Sequence, residues 1–290
     1  MDYYRATDIR GLTEKYGLRF TKAKGQNFLI DVNIVEKIVR LSGVDGESGV
    51  LEVGPGTGAL TVELAKKAGR VVAVEVDAKL MPVLRETLRD EQNVEIICDD
   101  ILKLDIVKTI NEKMPDMACH ACSNLPYSIT TPAIVALVGA DVFKTITVMV
   151  QSEVAGRICA APGTPEYGSL TLFVNYYAVP EILFDAPPEC FIPRPEVRSS
   201  VIRMDMRRER LLETLDEDLF FRIVRAAFGQ RRKTLVNALC AGFGGVPGKE
   251  AIAGIVTACG FDARIRGEAL SVDEFAKLTR EFRRREGQDT

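Results

Sequence analysis

The run VLEVGPGTGALT at residues 50–61 constrains this chain more than any other stretch. A strand-like start leads into a turn carrying Gly54, Gly56 and Gly58, then into the spacing of a helix. Glycine lets main chain come close to a ligand where a bulkier residue blocks it. The same alternation continues through the first 206 residues. RVVAVEV (70–76), VEIIC (94–98), DMACHACSN (116–124) and TITVMVQ (145–151) are apolar runs of strand length, separated by the helix-like GALTVELAKKAG, AKLMPVLRETLRDE and TPAIVALVGA. Such a pattern predicts a parallel sheet covered on both faces, and right-handed crossovers make it doubly wound. GSLTLFVNYYAV (168–179) reads as one more crossover helix. EILFDAP and VRSSVIRMDM then complete a seven-stranded sheet.

Prolines at 187, 188, 193 and 195 mark a loop before the last strand. From residue 207 the pattern is helical throughout: DEDLFFRIVRAAFG, RKTLVNALCAGF, GKEAIAGIVTACG and SVDEFAKLTREFRRR. Asp216 and Ser271 are expected N-caps, with Gly244-Gly245 and Gly260 as stops. The expected organisation is an α/β domain over 1–206, its N-terminal segment 1–33 covering a cofactor site, then a small all-α domain over 207–290.

Charge follows that division. The chain has a net charge of −3, yet residues 207–290 carry +3 and residues 1–206 carry −6. Arginines crowd at 194–210, at Arg231-Arg232-Lys233 and at 280–285. Local patches of this kind make an electrostatic footprint, whatever the overall charge. Seven cysteines form no disulfide framework. Cys119 and Cys122 flank the only histidine, His120, but no second pair completes a zinc set, so no metal is expected. No run approaches a membrane span, and the opening MDYYRATDIRGLTEKYG lacks the apolar core of a secretory leader. A cytoplasmic protein is the expectation.

Glu75 ends the second strand about twenty residues after the glycines, placed to grip the two hydroxyls of a ribose. Glycines and acid together leave two cofactors open, a nicotinamide dinucleotide or S-adenosylmethionine. Asp99 and Asp100 end the third strand at the same rim, and an acid there can accept from an adenine amine. A second acid suits a cofactor without phosphates. At the end of the fourth strand stands Asn124-Leu125-Pro126-Tyr127. An exocyclic adenine amine is a poor nucleophile, its lone pair being delocalised into the ring. The Asn124 side-chain oxygen and the Leu125 carbonyl, aimed at its hydrogens, favour a pyramidal nitrogen as positive charge develops. Pro126 stiffens the turn, and Tyr127 offers a stacking face worth about 1–3 kcal/mol.

These segments resemble, in order, the motifs of the small-subunit ribosomal RNA adenine dimethyltransferases: KGQNFLID (24–31), EVGPGTGALT (52–61), AVEVD (73–77), DDIL (99–102), NLPYSITTP (124–132), FIPRPEVRSSV (191–201) and FGQRRKTLVNAL (228–239). The resemblance implies a Rossmann-like methyltransferase that uses S-adenosyl-L-methionine. It places Asn27 and Leu29 on the cofactor's methionine side, Gly54 and Gly56 at the glycine loop, Glu75 on the ribose and Asp100 on the adenine. Asn124 then serves both cofactor and target base, and Phe191 faces Tyr127 across an extruded adenine. The implied substrate is a pair of adjacent adenines in a 3′-terminal hairpin loop of 16S rRNA, within an assembling 30S particle. Each adenine receives two methyl groups, and loop bases cost least to extrude. Arg231, Arg232 and Lys233 meet RNA phosphates in this reading, and the enzyme works as a monomer away from membranes. The sequence departs from the family pattern at Glu196 and Arg198, where charges are exchanged, and at Ser128. A large-subunit adenine methyltransferase of the macrolide-resistance type and an assembly or nucleic-acid-binding factor with little catalysis are the alternatives.

Overall fold

The computed structural model describes residues 11–12, 14–17, 27–212 and 214–286. Most of the segment expected to cover the cofactor site, including residues 24–26 of KGQNFLID, lies outside the described residues. The strands are β1 (Phe28–Leu29), β2 (Ser48–Val53), β3 (Arg70–Glu75), β4 (Val94–Cys98), β5 (Ala118–Asn124), β6 (Thr145–Gln151), β7 (Ala178–Ala186), β8 (Phe191–Ile192) and β9 (Ser199–Met206). Seven of them form one sheet in the order β4-β3-β2-β5-β6-β9-β7, and β1 and β8 form a separate pair.

The apolar runs explain the centre of that sheet. Every residue of β2 is buried, and its Val50 pairs in parallel with Val71 on one side and His120 on the other. Helices α1 (Val32–Leu41), α2 (Ala59–Ala65), α3 (Met81–Thr87), α4 (Ile106–Lys113) and α5 (Thr130–Gly139) supply the covering layers. One core joins Val35, Ile38 and Val39 of α1 to Leu60 and Leu64 of α2 and to Val50 and Val71 of the sheet. Each such side chain contributes about 1.5–3 kcal/mol on burial.

The sheet is mixed, where the apolar runs alone predicted it parallel. β9 runs antiparallel to β6, with Val148 opposite Ile202 and Gln151 opposite Ser199. Parallel neighbours need a crossover of a dozen or more residues, usually helical. The proline-rich stretch 187–198 between β7 and β9 holds no helix beyond a single 3-10 turn, Pro188–Cys190, followed by the two-residue β8. The chain therefore re-enters in the opposite sense, and the start of β9 lies at the rim where β5 and β6 end.

The chain divides into two compact units, and here the expected single boundary at residue 206 needs correction. One unit takes residues up to 155 with Val179–Met206; the other takes Gly156–Ala178 with 207–290. Helix α6 (Ser152–Ile158) spans the first change of unit. The helix over 168–179 does form, as α7 (Ser169–Tyr177), but it belongs to the second unit rather than serving as a sheet crossover. Its Leu172 and Tyr176 share a core with Phe220, Ile223, Phe275 and Phe282, and the Tyr176 and Phe220 rings lie 4.7 Å apart. The partners of that aromatic face are distant in sequence, so a boundary drawn from composition misses them.

The remaining helices of the second unit are α8 (Thr214–Gly229), α9 (Leu235–Gly242), α10 (Lys249–Ala258) and α11 (Val272–Glu286). Ser271 caps α11 as expected: its hydroxyl accepts from the Glu274 N–H while Glu274 accepts from the Ser271 N–H, a reciprocal box. Asp216 does not cap α8 but sits in its first turn, where an acid still complements the helix dipole. Gly244, Gly245 and Gly260 all have positive φ, as helix stops require.

Candidate active site

The carboxyl ends of β2, β3 and β5 open onto a cavity of about 370 Å³. Its walls include Asn27, Leu29, Glu52, Gly54, Gly56 and Glu75, together with Asn124, Leu125, Pro126 and Tyr127. The glycine turn, the second-strand acid and the fourth-strand tetrad thus meet in one place, because parallel strands deliver their ends to one rim.

Close approach explains the glycines. Gly54 has φ +66°, and a Cβ there would lie 3.2 Å from Pro126. At Gly56, φ +62°, a Cβ would lie 3.0 Å from the Phe28 ring. The tetrad and β1 therefore press against the turn from two sides, and any side chain on it would fill the cradle.

Glu75 is buried, 4% exposed, with one carboxyl oxygen accepting from the Asp77 N–H at 2.8 Å and the other from the Gly56 N–H at 3.3 Å. Burial pushes its pKa up, and those two N–H groups pull it back. Glu52 is more extreme. It is 1% exposed, its Oε2 has no hydrogen-bond partner among the described residues, and burial, with Glu75 nearby adding to it, raises its pKa to about 8. A buried carboxyl oxygen without a partner is costly. Facing a cavity, it awaits a donor or cation from a ligand.

Asn124 is held from behind: its Nδ2 donates to the Asn27 carbonyl at 3.0 Å. That bond fixes which way the amide points, leaving Oδ1 as the atom able to accept from a ligand. The Leu125 N–H donates to the Met149 carbonyl at 3.2 Å. Pro126 has φ −57°, and its carbonyl accepts from the Ile129 N–H. Tyr127 is half-buried, and its hydroxyl shares a 2.5 Å hydrogen bond with Ser199. Burial raises the Tyr127 pKa and the Ser199 contact works against it.

Some expected site residues stand elsewhere. Phe191 is 2% exposed and packs in the core with Leu29, Val35 and Val201; its main chain pairs with Leu29. It anchors the loop rather than offering a stacking face, since the β1–β8 ladder and the proline-rich chain hold it inward. Asp100 lies just past β4 but is not among the residues lining the cavity; its carboxylate accepts from the Leu102 N–H and lies 3.9 Å from Lys103. In the helical unit, Arg231 donates to Glu268 at 2.8 Å and to the Thr164 carbonyl at 3.2 Å, which ties it into the unit. Arg232 and Lys233 are exposed. Cys119, His120 and Cys122 are buried in β5, with His120 Nδ1 2.7 Å from the Thr145 hydroxyl. Among the described residues no His, Cys, Asp and Glu side chains gather to hold a metal ion.

Sequence reasoning missed Glu52, Phe28 and Ser199. Glu52 had a signal, a lone charge inside an otherwise apolar strand that must be buried on both faces. Phe28 and Ser199 had none beyond lying in motifs, because their contacts are with residues far along the chain.

Comparison with known proteins identifies the family. A family model described as ribosomal RNA adenine dimethylase matches residues 17–254. The chain is 45% identical over 270 residues to ribosomal RNA small subunit methyltransferase A of Shouchella clausii, covering 92% of this chain and 91% of that one. With the protein of that name from Oceanobacillus iheyensis it shares 43% identity over 280 residues, covering 96% and 94%. Among solved structures, a dimethyladenosine transferase from Plasmodium falciparum superposes with a TM-score of 0.75 at 25% identity, covering 89% of this chain and 98% of that one. The 23S rRNA methyltransferase ErmE superposes at 0.68 and 24% identity, covering 88% and 99%, a likeness of fold.

Proposed function

The chain belongs to the ribosomal RNA adenine dimethylase family, and from that premise we propose which of its residues carry the reaction. It is an enzyme that dimethylates adenine N6 of small-subunit rRNA with S-adenosyl-L-methionine, whose sulfonium, when bound, supplies an electrophilic methyl group. The substrate we assign is the pair of adjacent adenosines in the 3′-terminal hairpin loop, in the assembling 30S particle, with the protein acting as a cytoplasmic monomer. Among the described residues no helix is long and apolar enough to cross a membrane.

The cavity fits the cofactor's chemistry. Glu75 would take the ribose hydroxyls and the glycine turn the close main-chain approach. Asn27 and Leu29 would line the methionine side. Glu52, with its unpartnered oxygen, would offer a ligand a hydrogen-bonding group, and a cationic ligand beside it would favour its charged form. Asp100 would reach an adenine only from outside the present cavity wall, so we give it the weakest role.

One observation carries the catalytic reading: the Asn124 amide donates backwards to Asn27 and so aims its oxygen outward beside the glycine turn. That oxygen, with the Leu125 main-chain carbonyl, accepts from the two hydrogens of an adenine amine and orients its lone pair. Catalysis is then mainly alignment and preorganised electrostatics. Pro126 keeps the pair from relaxing, and Tyr127 supports the base. The helical unit holds RNA through Arg232 and Lys233, with Arg231 shaping the turn that presents them.

The test is to incubate the protein, methyl-labelled cofactor and small ribosomal subunits lacking the modification. Label is expected as dimethyladenosine in small-subunit rRNA. Label on another base, or only on large subunits, would sink the reading.

A further inference from the structure

In the FIPRPEVRSSV stretch (191–201) the aromatic residue, Phe191, is buried in the core. A different residue of that stretch touches the cavity wall. Ser199 opens β9, the antiparallel strand whose start lies opposite the end of β6, and it is fully buried. Its hydroxyl lies 2.5 Å from the Tyr127 hydroxyl, and Tyr127 lines the cavity with Asn124, Leu125 and Pro126. A tyrosine ring on a short 3-10 turn (Tyr127–Ile129) is otherwise free to turn about two side-chain bonds. A hydrogen bond from a strand-borne, fully buried hydroxyl removes that freedom.

The strand itself is braced one residue on. The Ser200 hydroxyl donates to the Asp185 carboxylate of β7 at 2.7 Å and, its one proton so used, accepts from the Ser152 hydroxyl at 2.8 Å, while the Ser152 N–H donates to the Arg198 carbonyl at 3.0 Å. Ser199 therefore stands on a fixed support, not on a loose loop.

We infer that Ser199 is a positioning residue for methyl transfer: it pins the Tyr127 hydroxyl so that the ring face meets the extruded adenine beside Asn124. The inference rests on the adenine-methylation reading and extends it. It also explains why a phenol suits position 127, where a phenyl ring would stack as well but could not be tied down.

The experiment uses the full chain and undermethylated small subunits, comparing wild type, Ser199→Ala, Tyr127→Phe and the double variant. Turnover, the KM for the particle, the calorimetric Kd for S-adenosylmethionine and Tm are each measured. Loss of one well-aligned hydrogen bond is expected to lower kcat about fivefold to tenfold in each single variant. The double variant should be no slower than either single, with cofactor Kd and Tm close to wild type. Multiplying losses in the double variant, near-normal turnover in Ser199→Ala, or a parallel fall of cofactor affinity and Tm would overturn the positioning role. An inactive wild type would overturn the methylation reading itself and this inference with it, which keeps the two failures apart.

Discussion

The α/β unit leaves acids buried beside a cavity, while the helical unit pairs its charges at home. Glu52 has a carboxyl oxygen without a partner, and Glu75 is held by main-chain N–H groups. In the helical unit Arg231 meets Glu268, Arg283 lies against Asp216, and Arg284 and Arg285 both reach Glu281. Those last two contacts hold the Glu281 carboxyl down to about 2. The difference teaches how to weigh charge in a sequence. A run of arginines near acids folds into pairs with partly covered acids, so its length overstates what is free for RNA. One acid inside an apolar strand is costly to bury, so its presence points to a ligand.

The hardest blow to the contrast comes from the α/β side. Asn124→Ala should lower methyl transfer by about 10²–10³, the scale of removing one preorganised acceptor, with the far-ultraviolet spectrum and Tm close to wild type. Activity within tenfold of normal would mean the tetrad does not carry the chemistry.

Next comes pH. With a folded pKa of about 8 against an ordinary 4.5, Glu52 holds its proton more tightly folded than unfolded. The unfolded chain therefore binds fewer protons, and stability falls as pH rises between those two values. From pH 6 to pH 9 the loss from this group is about 2–3 kcal/mol, and Glu52→Gln should remove it. Urea unfolding at both pH values checks this; the same pH slope in both proteins would show that Glu52 is solvated.

A smaller effect is expected in the helical unit. A Cβ on Gly242 would fall 2.3 Å from the Ala226 Cβ, a contact that forces α8 and α9 apart. Gly242→Ala should cost about 1–3 kcal/mol by overpacking, read by thermal unfolding, with cofactor affinity unchanged.

The smallest effects sharpen the arginine lesson. Replacing Arg232 and Lys233 with Ala should reduce the salt dependence of RNA binding by roughly one unit of slope per lost phosphate contact. Arg231→Ala should leave that slope nearly intact and shift stability by less than about 1 kcal/mol. A slope change centred on Arg231 would reverse the assignment.

Much of the α/β unit was legible because its signals are local. A strand, a three-glycine turn and an acid about twenty residues on specify a nearby group of contacts, and Glu75, Gly54 and Asn124 do meet at one cavity. Phe191 misled for the opposite reason. An aromatic on a proline-stiffened loop reads alike whether it faces a base or a core, and the β1–β8 pairing that turns it inward joins residues more than 160 positions apart. The helix over 168–179 was read as a helix yet assigned to the wrong unit, since periodicity shows which face is apolar but not what covers it.

By itself, then, the sequence determined the strands, the glycine turn and which residues reach the rim, because hydrophobic period and backbone permissiveness act over a few residues. Only the tertiary structure decided that β9 runs backwards, that α7 packs with the helical unit, that one oxygen of Glu52 lacks a partner and that Ser199 ties Tyr127. Each of those depends on side chains brought together from distant parts of the chain, where burial and hydrogen-bond geometry, not local propensity, set the outcome.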